Sequence, residues 1–268
     1  MRKAAKAAFW VCAAGIVHTH VTYPLTLVAL RRLRGERPDP PPPDPDALEP
    51  FVSLIVAAFD EEEVIAAKVT TALASDWPRE RLEVIVASDG SGDGTVEAAR
   101  GAGADVVLDL PRGGKMATQN AAAAAARGEV LAFSDANSTW EADALATLVA
   151  AFDDTEVGYA RGEVSFTTDA DDPAADNEEG AYWRLENMIR EAESGLGGIT
   201  AGNGAIYAVR AAAYRPLAPS RSHDLSFPFE LRKDGWRSVH VGAARASEKM
   251  VPTIEGEFAR KRRMMSHA

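Results

Sequence analysis

Three aspartates, far apart in the chain, have neighbours suited to chemistry. Asp89 closes an apolar run in Ala87-Ser88-Asp89-Gly90-Ser91-Gly92-Asp93-Gly94-Thr95. Asp135 closes another in Ser134-Asp135-Ala136-Asn137, and Asp224 stands in His223-Asp224-Leu225. Among glycines that let backbone approach a ligand, the Asp89 carboxylate can accept the ring N–H of uracil; a turn and helix cap explain it equally well. Asp135 suits a divalent ion, since Mg2+ needs only one or two protein carboxylates and fills its shell with phosphate oxygens. Asn137 adds an amide oxygen; the plainer alternative is a capping turn before Thr139-Trp140-Glu141. Asp224 at a helix start suits a general base that takes a proton from a hydroxyl, with a simple N-cap as the equal alternative. His223 beside it is a hydrogen-bond partner. Arg112-Gly113-Gly114-Lys115 can cradle phosphate at a helix N-terminus, or be a surface turn with a solvated lysine. Neither a P-loop nor the Gly-x-Gly-x-x-Gly dinucleotide spacing is present.

These residues need a scaffold, and the hydrophobic pattern supplies one. Phe51 to Ala57, Leu82 to Ala87, Asp105 to Leu108 and Glu129 to Phe133 are short apolar runs typical of buried parallel strands. Between them lie helical stretches: one capped by Asp60 and carrying Glu61, Glu62 and Glu63 in its first turn, one from Asp93 or Thr95 to Gly101, and the Ala-rich Gly113 to Arg127. A further helix is expected over Ala142 to Phe152. The alternation predicts a doubly wound α/β sheet with helices on both faces. Ligands bind such sheets at the edge where Asp89 and Asp135 fall. The second half reads as a strand over 157–166, an acidic loop over 167–177, a helix over 178–193, strands over 204–209 and 237–241, a helix over 224–233 and a basic helix over 254–265.

The chain of 268 residues carries a net charge of −11, which excludes general nucleic-acid binding. The single Cys12 excludes an internal disulfide or a cysteine-built zinc site. Ala7 to Leu30 holds no Asp, Glu, Lys or Arg and exceeds the roughly 20 apolar residues a bilayer needs. It is expected to be a membrane anchor over residues 1–36, with a signal peptide as the rival. Basic residues flank both ends, so charge alone fixes no orientation. Residues 37–50 form a Pro- and Asp-rich spacer, and residues 51–268 the catalytic domain.

Taken as a set, Val56-Ala57-Ala58-Phe59-Asp60-Glu61-Glu62, Ser88-Asp89-Gly90-Ser91, Gly113-Gly114-Lys115 with Asn120, Ser134-Asp135-Ala136-Asn137, Gly202-Asn203-Gly204-Ala205-Ile206-Tyr207 and His223-Asp224-Leu225 resemble the family 2 glycosyltransferases. The similarity is to the membrane-linked branch with cellulose-, chitin- and hyaluronan-synthase-like enzymes. It implies a glycosyltransferase A-type fold and an inverting transfer from a nucleotide-diphospho-sugar, UDP favoured, to a sugar or lipid-linked acceptor. It also implies Mg2+ or Mn2+, and a catalytic domain on the cytoplasmic side of the membrane. By the same resemblance, Ala57, Phe59, Glu61 and Asp89 surround the base and ribose, and Lys115 sits near the nucleotide. Asp135 and Asn137 hold metal and diphosphate, Asp224 is the base, and Arg263 contacts diphosphate. The family's second metal aspartate is Asn137 here. The Gln-x-x-Arg-Trp motif of polymer-forming synthases is reduced to Arg260-Lys261-Arg262-Arg263-Met264. Relatives continue into further membrane helices, so a catalytically inactive, truncated, membrane-tethered nucleotide-sugar-binding module is the alternative expectation. A nucleotidyltransferase is disfavoured because Ala57 to Glu63 is acidic where a basic phosphate loop is needed.

Overall fold

A computed structural model describes residues 2–35, 49–167, 173–219, 221–249 and 262. The expected basic helix over 254–265, Arg263 and most of the Pro-rich spacer lie outside the described residues. The strands are β1 (Val52–Ala58), β2 (Leu82–Asp89), β3 (Val106–Leu110), β4 (Val130–Asp135), β5 (Ser138–Trp140), β6 (Val157–Thr167), β7 (Tyr207–Arg210) and β8 (Arg237–Lys249). The helices are α1 (Arg2–Val17), α2 (Tyr23–Arg34), α3 (Glu62–Leu73), α4 (Thr95–Gly101), α5 (Lys115–Ala125), α6 (Ala144–Ala150), α7 (Pro173–Leu196) and α8 (His223–Lys233).

All eight strands join one mixed sheet in the order β3-β2-β1-β4-β7-β6-β8-β5. The first four are mutually parallel, as the apolar runs predict, and β7 runs antiparallel to β4. Strand alternation divides the core in two. Val52, Leu54 and Val56 face one side with Val84, Val86, Val130 and Ala132, covered by Ile65 and Val69 of α3, Ala99 of α4 and Leu145 and Leu148 of α6. Ile55, Ile85, Leu131 and Phe133 face the other, covered by Met116 and Ala122 of α5 and Phe227 and Leu231 of α8. Each buried Val, Ile, Leu, Met or Phe side chain contributes about 1.5–3 kcal/mol on leaving water, so covering both faces is what makes the central strands mostly apolar.

Several boundaries differ from the sequence reading. Asp60 does not cap α3; its backbone takes φ +53, and its carboxylate accepts the Gly92 amide at 2.8 Å, joining the β1–α3 and β2–α4 loops. Residues 173–177, read as loop, are helical, and the turn at 136–137 is followed by the short strand β5 rather than by the start of a helix. β8 runs on to Lys249, because its extension pairs with both β6 and β5.

The N-terminal helices are not detached from the domain. α1 and a π-helical turn over His18–Thr22 are exposed almost throughout. From Tyr23 onward the chain docks on α7. Leu27 packs with Ile189 and Ala192, Tyr23 donates to Glu193, and Arg31 lies 3.6 Å from Glu191. Glu193 is buried and also accepts the Thr200 amide at 2.9 Å. Packing therefore ties the apolar N-terminal run to the segment that leads into Gly202-Asn203-Gly204.

Candidate active site

Parallel register places the first two aspartates. Ala57 of β1 pairs with Ala87 of β2 on one side and with Asp135 of β4 on the other, and Asp89 closes β2. Both acids thus stand at the C-terminal edge of the sheet on either side of β1. There the chain order switches direction, and a crevice forms.

The buried Asp89 accepts from Gly113 N at 2.7 Å and from Gly114 N at 2.9 Å on Oδ1, and from Gly114 N again at 3.1 Å on Oδ2; Arg112 Nη1 lies 3.3 Å from Oδ2. A carboxylate offers about four lone-pair sites, and these contacts occupy them. In this structure Asp89 fixes the glycine loop ahead of α5. Reading a pyrimidine with the same oxygens requires that loop to give way. The loop delivers Lys115, whose ammonium pairs with Asp135. Burial alone would lower the Lys115 pKa; Asp135 and Asp224 outweigh it and hold the pKa above its usual value.

The third acid meets the second at Gly204. A Cβ added there would stand 2.8 Å from Lys115 Nζ, 3.0 Å from Asp135 Oδ2 and 3.2 Å from His223 Nε2. His223 in turn touches Asp224 through Nε2 and Oδ1. Burial would raise the Asp224 pKa, but His223, Lys115 and Arg161 overcome that and bring it down to about 2. The carboxylate is 35% exposed, so it remains open to an incoming group. Its backbone carbonyl accepts Gly202 N at 2.7 Å, which holds the α8 start against the glycine turn. Asp89, Asp135 and Asp224 are therefore linked around one cleft through Gly113, Gly114, Lys115 and His223.

The same small space tests the fit of a metal. His223 Nε2, paired with Asp224 Oδ1, and Asp135 Oδ2 both border the space beside Gly204. A carboxylate oxygen and an imidazole nitrogen form a donor pair that a divalent transition ion such as Mn2+ accepts. Among the described residues no group of three or more His, Cys, Asp or Glu side chains forms a complete shell. Phosphate oxygens are the usual source of the remaining ligands.

The remaining expected site residues fall around this centre. Phe59 is 41% exposed, and the Arg112 guanidinium stacks over its ring at 3.3 Å. Glu61 precedes α3 and donates its amide to Thr95 Oγ1 at 2.8 Å, while Ala57 is half-buried at the end of β1. Asn137 is exposed in the turn between β4 and β5. His223, read as a hydrogen-bond neighbour of Asp224, pairs with it and also borders the space at Gly204. Sequence reasoning missed one contributor. Lys68, in the middle of α3, is buried behind the Asp135 turn. Helical spacing places Lys68 among core positions, and the lone charge there was the signal available.

With this geometry in place, comparison with known proteins is informative. The family model for glycosyl transferase family 2 matches residues 53–215, more than half of the chain. The glycosyltransferase AglE of Haloferax volcanii is 29% identical over 123 residues, which span 44% of this chain and 40% of AglE. Among solved structures, the mannosyltransferase PcManGT from Pyrobaculum calidifontis, in complex with GDP-mannose and Mn2+, superposes with a TM-score of 0.74 at 23% identity, covering 93% of this chain and 71% of that one. Glucosyl-3-phosphoglycerate synthase from Mycobacterium tuberculosis, with Mn2+, UDP and glucosyl-3-phosphoglycerate bound, gives a TM-score of 0.55 at 19% identity, covering 81% and 78%. These structures share the glycosyltransferase A-type fold. An acid-edged crevice on a mixed sheet of this kind, together with the sequence match across it, establishes that the chain belongs to glycosyl transferase family 2.

Proposed function

We propose that this enzyme moves a sugar from a nucleoside-diphospho-sugar to a hydroxyl acceptor with inversion at the anomeric carbon. The observation that carries the reading is the junction at Gly204, where Lys115, Asp135 and His223 meet with Asp224 beside them. The acceptor oxygen attacks the anomeric carbon and forms the new C–O bond, the bond to the diphosphate oxygen breaks, and the hydroxyl proton passes to an Asp224 oxygen. Lys115 and the N-terminus of α5 oppose the negative charge that builds on the diphosphate. Asp135 and His223, with Asn137 at the adjoining turn, would hold a divalent cation, Mg2+ or Mn2+, whose charge neutralises the departing group. Phe59 and Glu61 line the base and ribose side, where Asp89 fixes the loop.

UDP-sugars are the proposed donors by resemblance, and GDP-mannose is the alternative because the PcManGT structure holds it. The chain's match spans 40% of AglE, so AglE's own name carries no acceptor over to it. A membrane anchor within residues 1–36 is part of the proposal. α1 and the π-helical turn together run for 21 residues ahead of the docked α2, about 31 Å at helical rise, the length of a bilayer core, and from Lys3 to Thr22 all but Ala13 are exposed. Residues 51–268 form the catalytic domain, proposed to lie on the cytoplasmic side. The docking of Tyr23 near the 200–204 turn favours a lipid-linked acceptor over a free sugar.

The test is release of nucleoside diphosphate from a panel of UDP- and GDP-sugars with Mn2+, with and without membrane lipid. We expect turnover of one donor class and stimulation by a lipid extract. No release from any donor refutes the reading. Within the same assay, Gly204→Ala is expected to fold, because Lys115 Nζ is the free end of a flexible chain and can step aside. Moving it from Asp135 should lower turnover by about 10–100-fold; unchanged turnover would remove this junction from the mechanism.

A further inference from the structure

Behind the Asp135 turn, on the face of the sheet away from Lys115, lies a second lysine that the reaction scheme leaves unused. Lys68 is 4% exposed, and its ammonium donates to the Ser138 carbonyl at 2.9 Å and lies 5.0 Å from the Trp140 ring centroid. A buried ammonium is costly, and burial brings this one down to about pH 7 against the pull of Asp135 and Glu248. A core position on α3 would be filled more cheaply by leucine or methionine. What Lys68 holds explains the charge. Ser138 begins β5, three residues after Asp135, and its hydroxyl donates to Glu248 of β8. Trp140, at the other end of β5, donates to the Ala205 carbonyl at 2.9 Å, and Ser134 Oγ donates to the same carbonyl at 3.1 Å. Ala205 follows Gly204. The turn that presents Asp135 and Asn137 is thus held from behind by one buried amine, and Trp140 and Ser134 tie it to the turn that carries Gly204.

Resting on the reading of Asp135 as a metal- and diphosphate-binding residue, we propose that Lys68 is a positioning residue for that site: its bond to Ser138 sets the Asp135–Ser138 turn in the geometry that receives the cation and the diphosphate. Lys68 touches neither substrate nor metal. It acts through the turn, and it ties α3, which begins at the nucleotide-side loop, to the diphosphate side of the cleft.

The proposal separates position from charge. If Lys68 acted only as a nearby positive charge, its removal would tighten cation binding at Asp135, because a repulsion would be lost. If it positions the turn, removal weakens binding. The experiment measures Mn2+ affinity of the full-length protein in the presence of UDP, and separately of GDP, from the loss of the free Mn2+ electron paramagnetic resonance signal. The proteins compared are wild type, Lys68→Met and Lys68→Gln. Glutamine has a donor but is one bond too short to reach the carbonyl, and it serves if the methionine variant folds poorly. The expected result is at least fivefold weaker Mn2+ binding in a variant whose thermal midpoint is unchanged or raised, since a buried charge has gone. Equal or tighter binding in the folded variants overturns the proposal. A wild type that binds no Mn2+ with either nucleotide instead removes the metal reading of Asp135, and the inference falls with it.

Discussion

Replacing Asp224 by Asn is expected to lower kcat by about 10²–10⁴-fold, the range that positioned proton transfer supplies, while donor binding stays near wild type. The amide keeps the size of the carboxylate and the start of α8, including the Gly202 amide bond to the residue 224 carbonyl. It cannot take a proton. The pH dependence adds a second check. The folded pKa of about 2 lies below the usual 3.8, so the carboxylate persists across the working range. An acid limb in kcat/KM assignable to Asp224 should therefore not appear above about pH 3. The sign for stability follows: this carboxylate favours the folded state above pH 3.8, and the contribution is lost as pH falls towards 2. A base of such low pKa takes its proton late, once bond formation has made the hydroxyl acidic. Equal turnover by Asp224→Asn would remove it from the chemistry, and a limb near pH 6 would assign the proton to another group.

The second large effect is expected at Asp135. Asp135→Ala should abolish measurable Mn2+ binding and reduce turnover on the order of 10²–10³-fold, the scale seen when one stabiliser of transition-state charge is lost. Structurally the change releases Lys115 from its partner and leaves His223 as the remaining donor beside Gly204. Asp135 is part-exposed, so no deeply buried charge is left stranded and the fold should survive. Excess Mn2+ should fail to rescue the alanine variant yet restore enzyme stripped with EDTA. Restoration of the alanine variant by metal would move the cation elsewhere.

Much of this arrangement was legible in the sequence. Val52 to Ala58, Leu82 to Asp89 and Val130 to Asp135 are mostly apolar because both faces of the strands are covered, apart from the buried Ser53, Glu83, Ser88 and Ser134, and each run carries its acid or loop at the C-terminal end. Parallel pairing then leaves no choice but to bring Asp89 and Asp135 to one edge. β5 was not legible, because three residues of mixed polarity have no period and are held as a strand only by pairing with β8. The roles of Asp60 and Asp89 were not legible either. Local sequence offers each several partners, and the selected ones, Gly92 for Asp60 and the 112–114 loop for Asp89, come from other loops.

The chain's own order of residues determined the layered α/β scaffold, its family and the acids placed at the strand ends, since these follow from hydrophobic periodicity and short-range geometry. Tertiary structure alone decided what those acids face. It brought His223 and Asp135 to the rim of one space at Gly204, set Lys68 beneath the turn that carries Asp135, and docked Tyr23 on Glu193 across 170 positions of sequence. The physical reason is that a hydrogen bond or ion pair is chosen by which distant groups share one dry, crowded space, and that space exists only once both faces of the sheet have been packed.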